Sequence, residues 1–312
     1  MWLTYTYLYV RMLRNPTAYG VALEDIQSDP MLTLHRRTLI LNAAKELMQC
    51  RMIKFDFQSG NFFPTDVGRV ASLYYIHHMS VDTYNHLLQP FMTDEQILDL
   101  IAHSREFSQL QVRNEEVPIL LEYKEKHCPY AVMGDNTSFV AKANILLQCY
   151  ISNAPITSAT LVADSYYVQQ SAGRIARALF EMVIRRGRSY LAAKLLEFCK
   201  MIDRRQWATQ HPLRQFPNAK LPFARLEAQG MWLDELIECD NLDFVLNSAD
   251  GKAAARCRTL LGQVPWLDVR TTAQPLTRDV LRVSISLAGA FNWDDRVHVR
   301  LVKYYQTQNN AV

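Results

Sequence analysis

Residues Asp164 to Gly187 read DSYYVQQSAGRIARALFEMVIRRG. At about 100° per residue, Val168, Ala172, Ile175, Leu179 and Val183 fall on one stripe of a helix. Gln170, Arg174, Arg177, Glu181 and Arg185 form a second stripe on the opposite side. The apolar stripe must pack against neighbouring helices, which places a helical bundle at the centre of the chain. The polar stripe is a column of cationic and amide donors about one turn apart, and Glu181 can hold an arginine in place. Such a column suits successive phosphates or stacked bases. The same spacing also allows Arg177–Glu181 and Glu181–Arg185 pairs on a solvated face, so both readings stay open. Tyr166 and Tyr167 can stack bases or fill a core.

Basic residues continue downstream. Between Gln170 and Arg214 there are ten, including Lys194, Lys200, Arg204, Arg205 and Arg214, against the three acids Glu181, Glu197 and Asp203. This window carries +7, while the whole chain of 34 Lys and Arg and 31 Asp and Glu carries +3. The basic character is therefore local.

Upstream, 81–210 reads as helical. Thr93-Asp94-Glu95-Gln96 has the pattern of a capping box. Asn114-Glu115-Glu116 opens a further helix with acids suited to its dipole, so Glu115 and Glu116 read as capping residues rather than an acid/base pair. A loop with Pro129, Gly134, Asp135 and Asn136 precedes a helix through about Ile151. The stretch Trp2–Met12 predicts a helix that is apolar nearly all round and hence buried, ended by Asn15-Pro16. A second helix is expected from Pro30 to about Cys50. Met52–Phe57 and Phe62-Phe63 around Gln58-Ser59-Gly60-Asn61 predict a hairpin. Thr65 and Asp66 start a helix to about Ile76. Together these suggest a winged helix over 1–80, incomplete at its N-terminal side.

Downstream, 211–265 mixes prolines and glycines with short apolar runs and reads as a small domain of short helices. Val280–Leu287 alternates with period two and predicts a strand. Phe291-Asn292-Trp293 is the last strand-like material, so 266–312 is expected to be a truncated β domain. The abrupt start suggests a piece of a longer protein.

With 49% apolar and 21% charged residues, the composition is that of an ordinary globular chain, not a disordered one. No apolar run approaches the roughly 18 residues of a membrane span, and no signal-peptide pattern opens the chain. A soluble intracellular chain is expected. The six cysteines show no C-x-x-C spacing and read as reduced, mostly buried thiols. His77-His78 and His127-Cys128 lack partners at zinc spacing. Gly251-Lys252 is followed by Ala253, and Leu246 stands where a phosphate-binding loop needs its first glycine. No autonomous nucleotide-driven enzyme is expected.

The chain resembles the Sec-63 homology unit that follows the motor domains of large superfamily-two helicases. The matching words are Trp2–Arg11 with Asn15-Pro16 and Tyr19-Gly20, Thr65-Asp66-Val67-Gly68-Arg69, and Asp164–Arg186. They continue with Cys199–Arg205 and Trp207, Pro212-Leu213-Arg214-Gln215-Phe216 and Gln274–Arg278. They span about 1–298 in the family's order, and Arg300–Val312 looks unrelated. Within the family, Ser171-Ala172-Gly173-Arg174 and Cys199–Arg205 resemble the first cassette of the tandem spliceosomal helicases, with the cointegrator-complex helicases second.

The resemblance implies a mainly α chain. Its parts would be a winged helix (1–80), a bundle (81–210) whose ratchet helix is 164–187, a helix-loop-helix domain (211–265) and part of an immunoglobulin-like domain (266–312). It implies that Gln170, Arg174, Arg177, Arg185, Arg204, Arg205 and Arg214 contact single-stranded RNA or DNA. It also implies the motor domains of the same helicase and other splicing factors as partners, no membrane, and a nuclear location. No cofactor is implied in this chain, because ATP and magnesium belong to motor domains absent from it. The alternative is a protein-interaction scaffold without RNA contact, and the translocon branch of the family fits least well.

Overall fold

Proline and hydroxyl residues punctuate the first part of the chain as expected. The computed structural model describes residues 2–216, 219–247, 251–291 and 293. A 3-10 turn leads into α1 (Tyr7–Arg14), capped by Thr6, whose side chain accepts the Tyr9 N–H. Then come α2 (Leu23–Ser28) and α3 (Thr33–Gln49). Strands β1 (Ile53–Phe55) and β2 (Phe62–Pro64) pair antiparallel with Lys54 opposite Phe63, and α4 (Asp66–Leu73) follows. The hairpin closes because Gly60 takes φ +71° and donates its N–H to the Asp56 carbonyl at 2.8 Å.

The N-terminal helix departs from expectation. Tyr9 and Met12 are buried, but Tyr5 and Tyr7 are 83% and 75% exposed, and Leu8, Val10 and Leu13 are also open to solvent. The reason is amphipathic placement: one face sits on Val21 and Leu32, and nothing among the described residues covers the other.

At α4, the Thr65 hydroxyl accepts the Gly68 N–H at 3.0 Å, and the Thr65 N–H donates to the Met52 carbonyl at 3.0 Å. The helix's first turn thus lies against the backbone entering the wing. A Cβ on Gly68 would overlap the Met52 carbonyl oxygen, which accounts for a glycine there.

The bundle continues with α5 (His78–Leu87), α6 (Asp94–Ala102), α7 (Val117–His127), α8 (Phe139–Ile151), α9 (Ala159–Arg185) and α10 (Ser189–Arg204). The Thr93–Gln96 capping box forms in both directions. Helix α8 is buried along nearly its whole length and packs against α6, α7, α9 and α10. Helix α9 packs on α8, α10 and α4 through the predicted stripe, with Val168, Ala172, Ile175, Leu179 and Val183 fully buried. It begins five residues before the expected Asp164.

Two compact units divide between Arg205 and Gln206. In the second, α11 (Phe223–Gln229), α12 (Leu233–Glu238), α13 (Leu242–Leu246) and α14 (Lys252–Leu261) close around Leu213, Leu226, Leu236, Leu246 and Cys257. Strand β4 (Leu281–Gly289) matches the period-two run. Its partner β3 (Leu267–Pro275) is not foreseen, because Asp268, Arg270 and Gln274 alternate with a short apolar set ending at proline. The ribbon is antiparallel, with Thr271 opposite Ile285. Phe291 and Trp293 take no strand position, which corrects the expectation there; Asn292 and the run from Arg300 onward lie outside the described residues. The described chain is mainly α. All six cysteines are free, with four buried and Cys128 and Cys239 partly so.

Candidate nucleic-acid interface

Helix α9 is held at its start by a buried ion network that sequence reading misses. The Lys142 ammonium of α8 lies 2.6 Å from Glu116 Oε2 and 2.7 Å from Asp164 Oδ2, and donates to the Gln111 carbonyl at 3.0 Å. Glu116 also accepts from the Thr160 hydroxyl at 2.9 Å. Burial would raise the Glu116 carboxyl, but Lys142, the Arg113 N–H and Thr160 together hold it below its ordinary value. Glu116 stands at the N-cap of α7, where the sequence places an acid, but its side chain makes no cap bond and serves instead as a buried ion-pair partner. Only the fold brings residues 116, 142 and 164 together.

Farther along α9, Arg174 donates from Nη1 to the carbonyls of Tyr74 and Tyr75, at 3.1 and 2.6 Å. Those carbonyls close the C-terminal end of α4, where a cation is favoured by the helix dipole. Arg177 pairs with Asp203 of α10, and this hydrogen bond keeps its guanidinium firmly charged. Glu181 accepts from the Tyr74 hydroxyl at 2.5 Å. Burial, then the bond to Glu181, pushes the Tyr74 phenol up to about 12. Arg185 lies 3.7 Å from Asp66. The alternative Arg177–Glu181 and Glu181–Arg185 pairs are not formed; Arg177 pairs with Asp203, Arg185 with Asp66, and Glu181 accepts from Tyr74 instead.

Arg205 ends α10 in the left-handed region at φ +52°, with its guanidinium 4.6 Å above the Tyr150 ring and Nε donating to the Tyr150 carbonyl. Arg204 is exposed and, like Gln170, has no hydrogen-bond or ion-pair partner among the described residues. Arg214 belongs to the second unit, where it grips Glu227 through two bonds of 2.6 and 2.9 Å and lies over Phe223.

Gln170, Arg174 and Arg177 line one cleft of about 470 Å³. Its other walls are Tyr166, Gln169 and Gly173 of α9, Tyr74 beside α4, Tyr150 of α8, and Ile202 and Asp203 of α10. Arg205 lies over the Tyr150 ring and is not among the cleft's lining residues, while Arg185 is two turns farther along α9. The cleft thus combines amide donors, cations and phenol rings. Tyr74 and Tyr150 carry no sequence signal for this role, since they lie about 100 and 25 residues away. Among the described residues, no cluster could hold a metal ion and no helix is long and apolar enough to cross a membrane.

Comparison with known proteins agrees with the resemblance. The Sec63 Brl domain profile matches residues 64–305, and a winged helix-turn-helix domain profile matches residues 1–56. The first match runs to residue 305, so the similarity extends into the run from Arg300 that looks unrelated in the sequence, which corrects that expectation in part. The chain is 39% identical over its full length to the DExH-box ATP-dependent RNA helicase DExH14 of Arabidopsis thaliana. Over 95% of its length it is 38% identical to the human activating signal cointegrator 1 complex subunit 3. Over the same share it is 39% identical to the U5 small nuclear ribonucleoprotein 200 kDa helicase of Drosophila melanogaster. The chain spans about 15% of the length of these relatives, 15% of the first and 14% of the other two, a portion without the motor domains. Matched over most of its length by that profile, the chain belongs to the Sec63 Brl domain family and is an accessory unit of the kind found in these helicases.

Proposed function

We propose that this chain guides single-stranded RNA for an ATP-dependent RNA helicase, holding the translocating strand while motor domains elsewhere in the parent protein step along it. The observation that carries this reading is the α9 cleft, where Gln170, Arg174 and Arg177 face three tyrosines with unpaired Arg204 on the adjoining helix. Phosphates would meet Arg177, Arg204 and Arg205, and bases would meet the rings. Arg185 would extend the contact along α9, and Arg214 would add one from the second unit. The four-part division at 80, 210 and 265 is part of the proposal. So are a place in pre-mRNA splicing, contacts with other splicing factors, and a nuclear location.

The test is fluorescence anisotropy of labelled single-stranded RNA across a salt series, for wild type and for Gln170→Ala/Arg177→Ala/Arg204→Ala. Circular dichroism checks equal folding. Binding that weakens linearly with the logarithm of salt, and weakens in the variant, supports the reading. Absence of binding at low salt sinks it.

A second reading has its own support. Arg174, Arg177, Arg185 and Arg214 all have protein partners, as a scaffold for splicing or cointegrator-complex factors would require. Salt-insensitive RNA binding, or none, with retained folding would favour it.

A further inference from the structure

We propose that Arg51, Arg186 and Arg188 form a binding site for a phosphate monoester, presented as a phosphoserine or phosphothreonine by a partner protein. Two of the three are fixed on the C-terminal half of α5. Arg186 Nη2 donates to Asn85 Oδ1 at 2.5 Å, and Asn85 Nδ2 in turn donates to the Cys50 carbonyl at 2.9 Å, next to Arg51. Arg188 Nη1 donates to the Leu88 carbonyl at 3.2 Å, where α5 ends. Between them Gly187 takes φ +69°, and this left-handed turn lets both arginines reach back to the same helix. Arg51 stands at φ +58°, where the chain leaves α3 for the wing.

No carboxylate answers this charge. Among the described residues none of the three arginines forms an ion pair, and the Arg51 side chain makes no hydrogen bond. The acids of α3, α4 and α5 are engaged elsewhere: Glu46 with His78, Asp66 with Arg69 and Arg185, and Asp82 with His86. Burial, and then the charges of Arg188 and Arg51, hold the Arg186 guanidinium below its ordinary value, so the cations repel one another. A dianion with three acceptor oxygens relieves that repulsion and accepts from several guanidinium forks at once. A carboxylate or a singly charged phosphodiester compensates less of it. Arginine clusters recognise phosphorylated segments on this principle. The cluster also lies apart from the α9 cleft. Arg186 closes α9 two and a half turns after Arg177, on the opposite side of its axis and about 13 Å along it. A strand lying in the cleft does not pass over it, which favours a protein partner over the guided RNA.

The test titrates the whole chain into a labelled Gly-Ser peptide carrying one phosphoserine, into its unphosphorylated counterpart, and into labelled single-stranded RNA, all read by fluorescence anisotropy. The phosphopeptide is expected to bind at least about tenfold more tightly than the unphosphorylated peptide. Arg51→Gln removes a charge without removing a bond. It should weaken phosphopeptide binding about tenfold, change RNA affinity by less than about twofold, and melt with wild type. Arg51→Gln/Arg188→Gln should weaken the phosphopeptide further. Equal binding of the two peptides, or full phosphopeptide affinity in the double variant, overturns the site. Full displacement of the phosphopeptide by an equimolar amount of inorganic phosphate assigns the cluster to a free ion and overturns the protein partner. RNA affinity that falls in Arg51→Gln as far as phosphopeptide affinity puts the cluster on the strand path and overturns the proposal as well.

Discussion

The Lys142 ammonium lies 2.6 Å from Glu116 Oε2, and Lys142 and Glu116 are only 1% and 3% exposed. A buried pair of this kind is a weak source of net stability, yet removing one partner strands the other charge away from water. Lys142→Met is therefore expected to lower the unfolding free energy by about 3–5 kcal/mol, read from urea denaturation. Lys142→Met combined with Glu116→Gln and Asp164→Asn should lose less than Lys142→Met alone. A single variant as stable as wild type would show that the network carries no such burden.

The same carboxylate sets an acid limit. Because the folded-state value of Glu116 is depressed, its contribution is present above the ordinary value of 4.5 and is lost as pH falls through the lower folded value. Melting temperature should drop steeply below about pH 4.5, and Glu116→Gln should flatten that part of the curve. An unchanged acid limb in the variant would assign the loss to other carboxylates.

Arg177 is engaged by Asp203, so the proposed strand contact competes with an internal ion pair. Asp203→Asn frees the guanidinium. Since pairs of this exposure contribute up to about 1 kcal/mol, RNA affinity should rise by up to roughly fivefold and the salt dependence should steepen. Weaker binding by Asp203→Asn, with the fold intact, would mean that the pair orients Arg177 rather than restraining it.

Gly68 has no room for a side chain, because its Cβ would run into the Met52 carbonyl. Gly68→Ala must either push α4 off the wing or break the Thr65–Met52 bond. A loss of about 2–3 kcal/mol is expected in denaturant unfolding, with exposure of the wing to limited proteolysis. Gly173→Ala, by contrast, meets only ordinary contacts and should raise stability slightly.

Thr93→Ala removes one half of a reciprocal cap and leaves an α6 amide unsatisfied. About 1 kcal/mol should be lost, measurable as a lower urea midpoint at unchanged slope.

Local chemistry was legible in the sequence. Thr65 and Thr93 announced helix starts, Gly60 a turn and the Val168–Val183 stripe a packed face, because caps, turns and helical periodicity are decided within a few residues. The column Gln170–Arg174–Arg177–Arg185 was legible for the same reason. Its partners were not: Asp203, Tyr74 and Asp66 reach it from other helices, and no i,i+4 rule could choose them over Glu181. Strand β3 escaped because its apolar face is short and weak, Leu267 and Val269 giving way to Thr271 and Ala273 before Pro275, and pairing with β4 supplied the order that local pattern lacked.

What the sequence by itself determined is the mainly α character, the order of helices and wing, the family, and a local positive excess on and after α9. Each follows from short-range propensity, periodicity or charge. Only the tertiary structure decided that Tyr74, Tyr150 and Gly173 share a cleft with Gln170 and Arg177, and that the Glu116 side chain at the N-cap of α7 is buried beside Lys142. Contacts between residues far apart in the chain depend on how side chains fill a common interior, and no local pattern carries that information.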